Sequence, residues 1–408
     1  MNKFGDLVRA VVLTGLALAG TASADVVTDW NQITMASTGP GRPGPVAFHD
    51  VAVVHLAIHD AIQSYERRFE PYYAQVRNPK GSKAAAAATA AYRLLVTFNP
   101  SQAATLDPIY GTWLANNGLT GNEGIEVGER IAGLYAGLRR ADPNPPLPAF
   151  NGGTNPGEWR PTAPAFAPMA FEQQAYFHPF ALTGPARFRA PPPPALTSER
   201  YTEDYNEVKA KGALTGSTRT AWENDVAWFW TDNPGNIWFG GIRAIAERHV
   251  PSTGDRARLF ALASMSVADS IISAWDSKRY YNLWRPITAI QEGDNDTNNA
   301  TVGDPDWQPF LTTPPYPDYT SGANSVSGAV TKSLELFFGR DDIRFTLTTT
   351  APGAIKKQRT YPSFSAASQQ VVYVRVLQGI HFRFADVEAR KVARTVAEYA
   401  YDNCLRPL

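Results

Sequence analysis

Two basic residues, Lys278 and Arg285, are the first pair whose type and spacing indicate chemistry. They are seven positions apart, about two helical turns, so the pattern predicts that both side chains leave one face of a helix. Pro286 disfavours helix at the residue before it, which places Arg285 near the helix end. Two cations on one face repel each other unless an anion lies between them. Taken alone, the pair is more typical of long basic side chains that reach solvent at a surface.

A proline-rich loop that runs into a helix is the second feature. Residues 314–320 lead to Ser321 and Gly322, and apolar residues then recur at helical spacing as far as Phe338, where Gly339 provides a stop. Free backbone N–H groups at a helix start, together with a hydroxyl, can bind an anion. On this feature alone the simpler interpretation is that Ser321 is the helix N-cap, and the two roles are compatible.

An arginine, a glycine and a histidine form the third feature, as Arg375, Gly379 and His381. At about 100° per residue, Arg375 and His381 do not share a helix face. They would therefore approach an anion from different sides unless Gly379, which weakens a helix, bends the chain. A lone histidine is usually a packing or solvent-exposed residue, but the three features together favour one oxyanion site.

The three features resemble a known three-part signature. Lys-x6-Arg-Pro, then Ser-Gly before a helix, then Arg-x3-Gly-x-His resembles that of the type 2 phosphatidic acid phosphatase and vanadium-dependent haloperoxidase superfamily. The rest of the chain resembles the soluble bacterial haloperoxidase branch of that superfamily. The segments that carry this second resemblance are Trp30-Asn31, His55–Ala61, Gly157–Arg160, Pro191–Pro194 and Asp304–Trp307.

The resemblance implies a role for each motif residue. The anion-binding set would be Lys278, Arg285, Ser321, Gly322 and Arg375. Its three cations would neutralise the equatorial oxygens of phosphate or vanadate, while the serine hydroxyl and the glycine N–H donate hydrogen bonds. His381 would attack phosphorus, or bind vanadium as the apical ligand. One site serves both anions because five-coordinate vanadate has the shape and charge of a phosphoryl-transfer transition state. Trp275 and Tyr316 fall where the family lines its site.

The loop departs from the family pattern at one residue. The family continues Ser-Gly-His, whereas this chain has Ala323 and then Asn324. The family's histidine is an acid/base catalyst. It protonates the leaving group in phosphatases and exchanges protons with the apical water or peroxide in haloperoxidases. Alanine cannot move a proton, and Asn324, expected to line the pocket, donates hydrogen bonds but does not titrate. General acid catalysis contributes about 10²–10⁴-fold, so activity falls by that factor unless another group substitutes.

A second departure follows His381. The phosphatase pattern has an orienting aspartate four residues later, where this chain has Ala385. Asp386, one position further, is instead expected to cap the terminal helix.

Three functions stay open on these residues. The whole-chain resemblance favours vanadate-dependent oxidation of halide by hydrogen peroxide. The alternatives are hydrolysis of phosphate esters through phospho-His381, and non-catalytic binding of phosphate or vanadate because the loop has Ala323. An alkoxide leaving group needs a proton, whereas Lys278 can also polarise a peroxide, so the missing histidine should impair ester hydrolysis more. In either reaction the partner is a small molecule, and phosphatase chemistry requires no cofactor.

The elements that position these residues are expected to be helices, because apolar residues recur every three or four positions. The predicted helices are 46–64, 83–98, 103–116, 124–140, 198–211, 219–230, 238–249 and 257–282. No segment shows sustained strand alternation. We therefore expect one all-α domain of packed bundles over 25–408, with the oxyanion-site core at 255–408. The Pro-, Gly- and Phe-rich stretch 143–194 should wrap onto the helices instead of forming a free linker.

Composition limits the other functions. The 38 acidic and 38 basic residues cancel, which gives no electrostatic reason to expect a nucleic acid or an anionic membrane as partner. The one cysteine, Cys404, excludes an intramolecular disulfide and a cysteine-based metal site. His55 and His59, with Asp60, have a spacing that can bind a divalent metal, but their apolar helix favours packing. The sequence leaves the oligomeric state open.

The N-terminus has the three parts of an export signal. Lys3 and Arg9 precede the apolar run Ala10–Ala19, and Ala22-Ser23-Ala24 is a small-residue cleavage site. The alternative is an ordinary N-terminal helix. No later segment is expected to reach the ~20 apolar residues of a spanning helix. We therefore expect a periplasmic or secreted protein whose mature chain starts near Asp25.

Overall fold

A computed structural model describes residues 25–41, 44–139 and 147–408. The α-helices are α1 (Val26–Gly41), α2 (Pro45–Glu66), α3 (Lys83–Phe98), α4 (Ala103–Asn116), α5 (Gly124–Arg139), α6 (Glu199–Gly212), α7 (Ala221–Phe229), α8 (Pro234–His249), α9 (Thr253–Tyr281), α10 (Pro286–Gln291), α11 (Gly322–Phe338), α12 (Phe364–Leu377) and α13 (Arg383–Asn403). Strands β1 (Phe345–Thr348) and β2 (Gln358–Tyr361) pair antiparallel. The all-helical class predicted from the sequence is confirmed, with this one hairpin added.

Two predictions about the organisation of the chain are not tested by these elements. The export signal at 1–24 lies outside the described residues. A single domain over 25–408, with its oxyanion core at 255–408, stays a prediction.

The helices predicted from apolar spacing are present with small shifts at their ends. Local capping explains where they begin. The Ser82 hydroxyl accepts from the Ala84 N–H at the start of α3, and Thr220 forms a capping box with Glu223 that starts α7. α11 ends at Gly339, which has a left-handed φ of 66°.

Helix α9 is the central element of the bundle. Its 29 residues pack against α2, α11 and α13, and most of them are buried. Contrary to the expectation that no later segment is long and apolar enough, α9 has the length and composition of a membrane-crossing helix. Its apolar stretch is entirely covered by other parts of the protein, which is what a core helix requires.

The stretch 147–194 contains no α-helix and only a short 3-10 turn at Glu172–Tyr176. Asp269 on α9 accepts hydrogen bonds from the backbone N–H groups of residues 180–182 at 2.6–3.1 Å. Trp159 is fully buried. The stretch is therefore packed onto the helices, as the sequence predicted for this part of 143–194.

The β1–β2 hairpin was not expected from the sequence. Phe345 and Leu347 are buried, whereas Thr346 and Thr348 are exposed, so β1 alternates over only four residues. So short an alternation is not distinguishable from chance in a sequence. The hydroxyls of Thr346 and Thr360 are 2.8 Å apart across the pair.

A second, smaller core lies beneath the C-terminal motifs. It contains Trp284, Tyr319 and Phe382, which are all fully buried. Each of these aromatics is a chain neighbour of a polar side chain in the candidate site: Trp284 precedes Arg285, Tyr319 follows Asp318, and Phe382 follows His381. Packing of the aromatics therefore fixes the backbone positions from which the polar groups extend.

Candidate functional site

Lys278 lies in the last turn of α9, but Arg285 lies beyond its end, so the prediction that both leave one helix face is wrong. Helix α9 stops at Tyr281 because Asn282 adopts a left-handed φ of 48°, which ends the helix. Arg285 is extended, with φ −86° and ψ 156°, as the following Pro286 requires. The chain turns between the two cations and still brings them together.

Both cations are fully buried and are held by backbone carbonyls of the proline-rich loop. Lys278 Nζ donates to the carbonyls of residues 317–318 at 2.8 and 3.0 Å. Arg285 Nε donates to the Tyr316 carbonyl at 2.7 Å, and Nη1 donates to the Ile380 carbonyl at 2.6 Å. Because these side chains are interior, the alternative of a surface cation pair does not apply.

Ser321 occupies the N-cap position of α11, but its side chain makes no capping hydrogen bond. The hydroxyl instead accepts from the Asn324 side-chain amide at 3.5 Å and hydrogen-bonds to Asp386. The first N–H groups of α11 have no intrahelical acceptor. At Gly322, an added Cβ would lie 3.2 Å from the Trp275 ring, which is tighter than an ordinary contact. A small residue here lets the backbone of the helix start lie against the aromatic ring.

Arg375 and His381 belong to different elements. Helix α12 ends at Leu377, and Gly379, with a φ of 75°, bends the chain, which the sequence had left open as one of two possibilities. A Cβ at this position would lie 2.3 Å from the Gly212 carbonyl oxygen, so both the backbone angle and the space require glycine. His381 follows in the turn before α13, while Arg375 remains in the last turn of α12.

The His381 ring is where the three motifs meet. Arg285 Nη1 is 3.2 Å from its Nε2, and Asp318 Oδ1 is 2.7 Å from its Nδ1. The ring is 1% exposed. Arg375 donates to Gln378 Oε1 at 2.6 Å, and it lies near enough that its charge lowers the pKa of His381.

Two buried carboxylates in the site, Asp318 and Asp386, were not assigned site roles from the sequence. The prediction that Asp386 caps α13 is wrong: the N-cap residue is Phe382, and Asp386 lies within the first turns of the helix. Its Oδ1 accepts a hydrogen bond from Asn324 Nδ2 at 2.8 Å. The available signal for Asp318 was an acidic residue three positions before Ser321, inside a loop expected to bind an anion.

Burial and neighbouring charges set the protonation of the site. Burial lowers the pKa of His381 and of Lys278 well below their usual ranges, and the charge of Arg285 adds to this in both cases. His381 is therefore a neutral imidazole, in which one ring nitrogen carries a hydrogen and the other a lone pair. Burial raises the pKa of Asp318 to about 7, although Arg285 and Lys278 act in the opposite direction. Burial also raises the pKa of Asp386 well above its usual range.

Two guanidinium nitrogens in the site lack a partner. Within the described part of the chain, no acceptor bonds to Arg285 Nη2 or to Arg375 Nε, and both atoms are buried. An unpaired buried donor costs about 1–3 kcal/mol, and more when it is charged. An oxyanion that accepts from both arginines would remove this cost. The donor set therefore fits phosphate or vanadate.

An aromatic wall covers the cations. The Tyr316 ring lies 4.9 Å from Lys278 Nζ and 4.8 Å from Arg285 Cζ, and 5.1 Å from the Trp275 ring. Trp275 Nε1 donates to the Ala170 carbonyl at 3.2 Å, so the non-helical stretch packs on this wall. Aromatic faces stabilise the cations and exclude water, which strengthens electrostatic attraction to an anion.

The histidines of α2 make structural contacts elsewhere. His55 Nε2 is 2.8 Å from Asn31 Nδ2, and its ring stacks at 5.3 Å on Phe260. His59 Nε2 is 3.1 Å from the Glu70 carbonyl. No group of three or more His, Cys, Asp or Glu side chains in the described ranges could hold a metal ion.

Comparison with known proteins places this geometry in context. Residues 258–408, which include every motif residue, match the family described as the VCPO second helical-bundle domain. The vanadium chloroperoxidase of Curvularia inaequalis is 24% identical over 498 aligned residues, covering 91% of this chain and 80% of that protein.

Solved structures are similar over nearly the whole chain. A bacterial vanadium-dependent iodoperoxidase is 25% identical, with a TM-score of 0.79 over 94% of this chain and 96% of that one. The holo form of a bacterial vanadium-dependent chloroperoxidase is 18% identical, with a TM-score of 0.73 over 91% of this chain and 97% of that one. The second likeness shows a shared fold.

Proposed function

The chain belongs to the superfamily of vanadium-dependent haloperoxidases and type 2 phosphatidic acid phosphatases, and we propose that it binds vanadate and oxidises halide with hydrogen peroxide. The observation that carries this proposal is the pair of unpartnered, buried guanidinium nitrogens on Arg285 and Arg375. Both arginines lie near enough to the neutral His381 imidazole that their charges lower its pKa. Vanadate would supply acceptors for the two nitrogens and a vanadium centre for the imidazole.

The residues that would hold vanadate follow from their remaining donors. A protonated Lys278, the form that a bound anion favours, uses two of its three N–H groups on carbonyls, which leaves one for the anion. Arg285 Nη2 and Arg375 Nε contribute one donor each. The Ser321 hydroxyl and the N–H groups at the start of α11 add neutral donors, and His381 Nε2 would bind the vanadium. Bound vanadate would supply a Lewis-acidic centre that activates hydrogen peroxide.

In this proposal the protein contributes to the reaction by holding positive charges at fixed positions in a site that excludes water. Lys278, Arg285 and Arg375 stabilise negative charge on the anion, and donors already in place need no reorganisation during the reaction. The remaining N–H of Lys278 can hydrogen-bond to an oxygen of the peroxide and polarise it. Ala323 cannot assist with protons, so we expect a weaker oxidant than a site with histidine at that position would produce.

Halide preference tests this proposal directly. We expect the purified protein, incubated with orthovanadate and hydrogen peroxide, to oxidise iodide fastest, bromide more slowly and chloride least, because iodide gives up electrons most readily. A spectrophotometric assay with and without orthovanadate measures this, and Lys278→Met, which removes the charge but keeps the chain length, should lower the rate. Absence of vanadate-dependent oxidation for all three halides contradicts the proposal.

Phosphate-ester hydrolysis is the second candidate, favoured by the neutral state of the buried His381 ring. A neutral imidazole is the form that attacks phosphorus, and the same cations would stabilise the transferred phosphoryl group. The leaving oxygen would need a proton that Ala323 cannot give. Hydrolysis of 4-nitrophenyl phosphate without halide oxidation would support this reaction, and binding of phosphate without either activity would support a non-catalytic role.

Restoring a histidine should reveal which proton step is missing. Ala323 is the second residue of α11 and is only partly buried, so a larger side chain can extend from this position. We expect Ala323→His to raise iodide oxidation, or alkyl phosphate hydrolysis, by up to about 10²–10⁴-fold. Hydrolysis of 4-nitrophenyl phosphate should rise less, because its phenolate leaves without a proton. Comparable wild-type rates on alkyl and aryl esters would show that another residue already supplies the proton.

A further inference from the structure

The short loop 316–318 contacts residues from two separate motifs. Its three carbonyls accept from Arg285 and Lys278 at 2.7–3.0 Å. Its one charged side chain, Asp318, reaches instead to His381, with Oδ1 2.7 Å from Nδ1. The main chain of the loop thus positions the cations of the first motif, and its side chain meets the histidine of the third.

The contacts of the His381 ring determine which nitrogen carries the proton. Arginine has only donors, and Arg285 Nη1 is closer to Nε2, at 3.2 Å, than to Nδ1, at 3.5 Å. A carboxylate is an acceptor, and Asp318 lies beside Nδ1. When Asp318 is ionised, both contacts are favourable only if Nδ1 carries the hydrogen and Nε2 presents its lone pair. The lone pair then lies on the side of the ring where Arg285 is.

The Asp318 carboxylate lies closer to the His381 ring than to the Arg285 guanidinium. The shortest distance from its carboxylate to Arg285 Nη1 is 3.5 Å, and this arginine already donates from Nε and Nη1 to two carbonyls. The second carboxylate oxygen is 3.5 Å from the Phe382 N–H, the residue that follows His381. Both oxygens therefore lie beside the segment that carries the histidine.

We propose that Asp318 is a positioning residue, which holds His381 in the Nδ1–H tautomer and directs the Nε2 lone pair at the bound oxyanion. The inference rests on the proposed role of His381. It assigns to the second motif the orienting carboxylate that the phosphatase pattern has four residues after the histidine, where this chain has Ala385. A residue from a distant part of the chain supplies the acceptor.

Two measurements distinguish a positioning role of Asp318 from a purely electrostatic effect of its charge. The chain has six histidines, so ¹⁵N-histidine labelling gives few ring signals, and the His381 signals are identified by their loss in His381→Ala. Calorimetry with orthovanadate and with inorganic phosphate measures the ratio of the two affinities. Vanadate binding needs a directed lone pair on Nε2, whereas phosphate binding uses the cations and the neutral donors and needs no lone pair.

We expect wild-type His381 to be protonated at Nδ1, and Asp318→Ala to lose this preference. Orthovanadate affinity should fall by about 10–100-fold, the usual effect of removing a partner of a metal-binding histidine. Phosphate affinity should stay equal or rise, because a negative charge has been removed. Asp386→Ala is the matched control: it removes the other buried carboxylate, which does not contact the ring, and should leave the tautomer unchanged.

Equal shifts of both affinities in Asp318→Ala, with the tautomer unchanged, would overturn the inference and assign Asp318 a charge role. If Asp318→Ala does not fold, Asp318→Asn decides. In this variant the ratio of vanadate affinity to phosphate affinity should fall together with the fraction of the Nδ1–H tautomer. A change in that ratio without a change in the tautomer would overturn the inference. Failure of the wild type to bind orthovanadate is a different result, which contradicts the proposed function instead.

Discussion

His381→Ala should abolish coordination of vanadate, and this is the largest effect we expect from a single substitution. The neutral imidazole presents Nε2 to the cations, and alanine offers no atom that can bind vanadium. Since loss of an outer partner of a metal-binding histidine typically costs about 10–100-fold, loss of the ligand itself should cost more. Titration calorimetry and ⁵¹V NMR with orthovanadate measure the affinity, and the wild type should bind one equivalent.

The matched control for this substitution is His249→Ala, because His249 is an exposed histidine at the end of α8. It should leave the ⁵¹V signal of the bound form unchanged. Thermal unfolding of each variant separates loss of coordination from loss of the fold. Unchanged coordination in His381→Ala would show that vanadium is bound through other atoms, and the assignment of His381 as ligand would be wrong.

Arg285→Ala and Arg375→Ala should weaken anion binding far more than Arg279→Ala. Removing one partner of a buried charged hydrogen bond costs about 2–5 kcal/mol, which corresponds to roughly 30–5,000-fold in affinity. Arg279 is adjacent to Lys278 in sequence but exposed, and it pairs with Glu172 at 2.7 Å. Its loss should change phosphate affinity by no more than about threefold, because solvent and salt screen an exposed charge.

Titration with inorganic phosphate at low and at moderate salt measures these three variants. Arg285→Lys provides a second test of the first position, because it keeps one charge and loses the planar set of donors. We expect it to bind phosphate more weakly than the wild type and to fold more readily than Arg285→Ala. Equal losses at all three arginines would mean that the cluster acts through general charge, without a defined pocket.

The local sequence was sufficient to predict those features of the structure that depend only on residues close together in the chain. Apolar spacing predicted the long helices, and α3 and α4 have the predicted bounds. Gly339 ended α11 and Gly379 turned the chain because a left-handed φ is a property of the single residue. The three cations, the serine and the histidine were also identified from the sequence, because their types and order carry the resemblance to the superfamily.

Tertiary structure decided how those residues meet. The seven-residue spacing of Lys278 and Arg285 did not predict their relative orientation, because α9 ends at Asn282, before Arg285. The angle between two positions follows from their spacing only within one continuous helix. They meet because the carbonyls of loop 316–318 receive both side chains. A contact of this kind depends on the path of a distant segment, which periodicity does not encode.

The two buried carboxylates of the site show the same contrast between what the sequence determines and what tertiary structure decides. Asp318 and Asp386 are ordinary acidic residues in the sequence, where an aspartate in a loop is usually solvated. Helices α11, α12 and the hairpin separate Asp318 from His381 along the chain, and only their packing places the two 2.7 Å apart. The sequence by itself determined the chemical types available to the proposed oxyanion site. Their burial, their partners and the orientation of the histidine ring were decided by tertiary packing, because each depends on contacts between segments far apart in the chain.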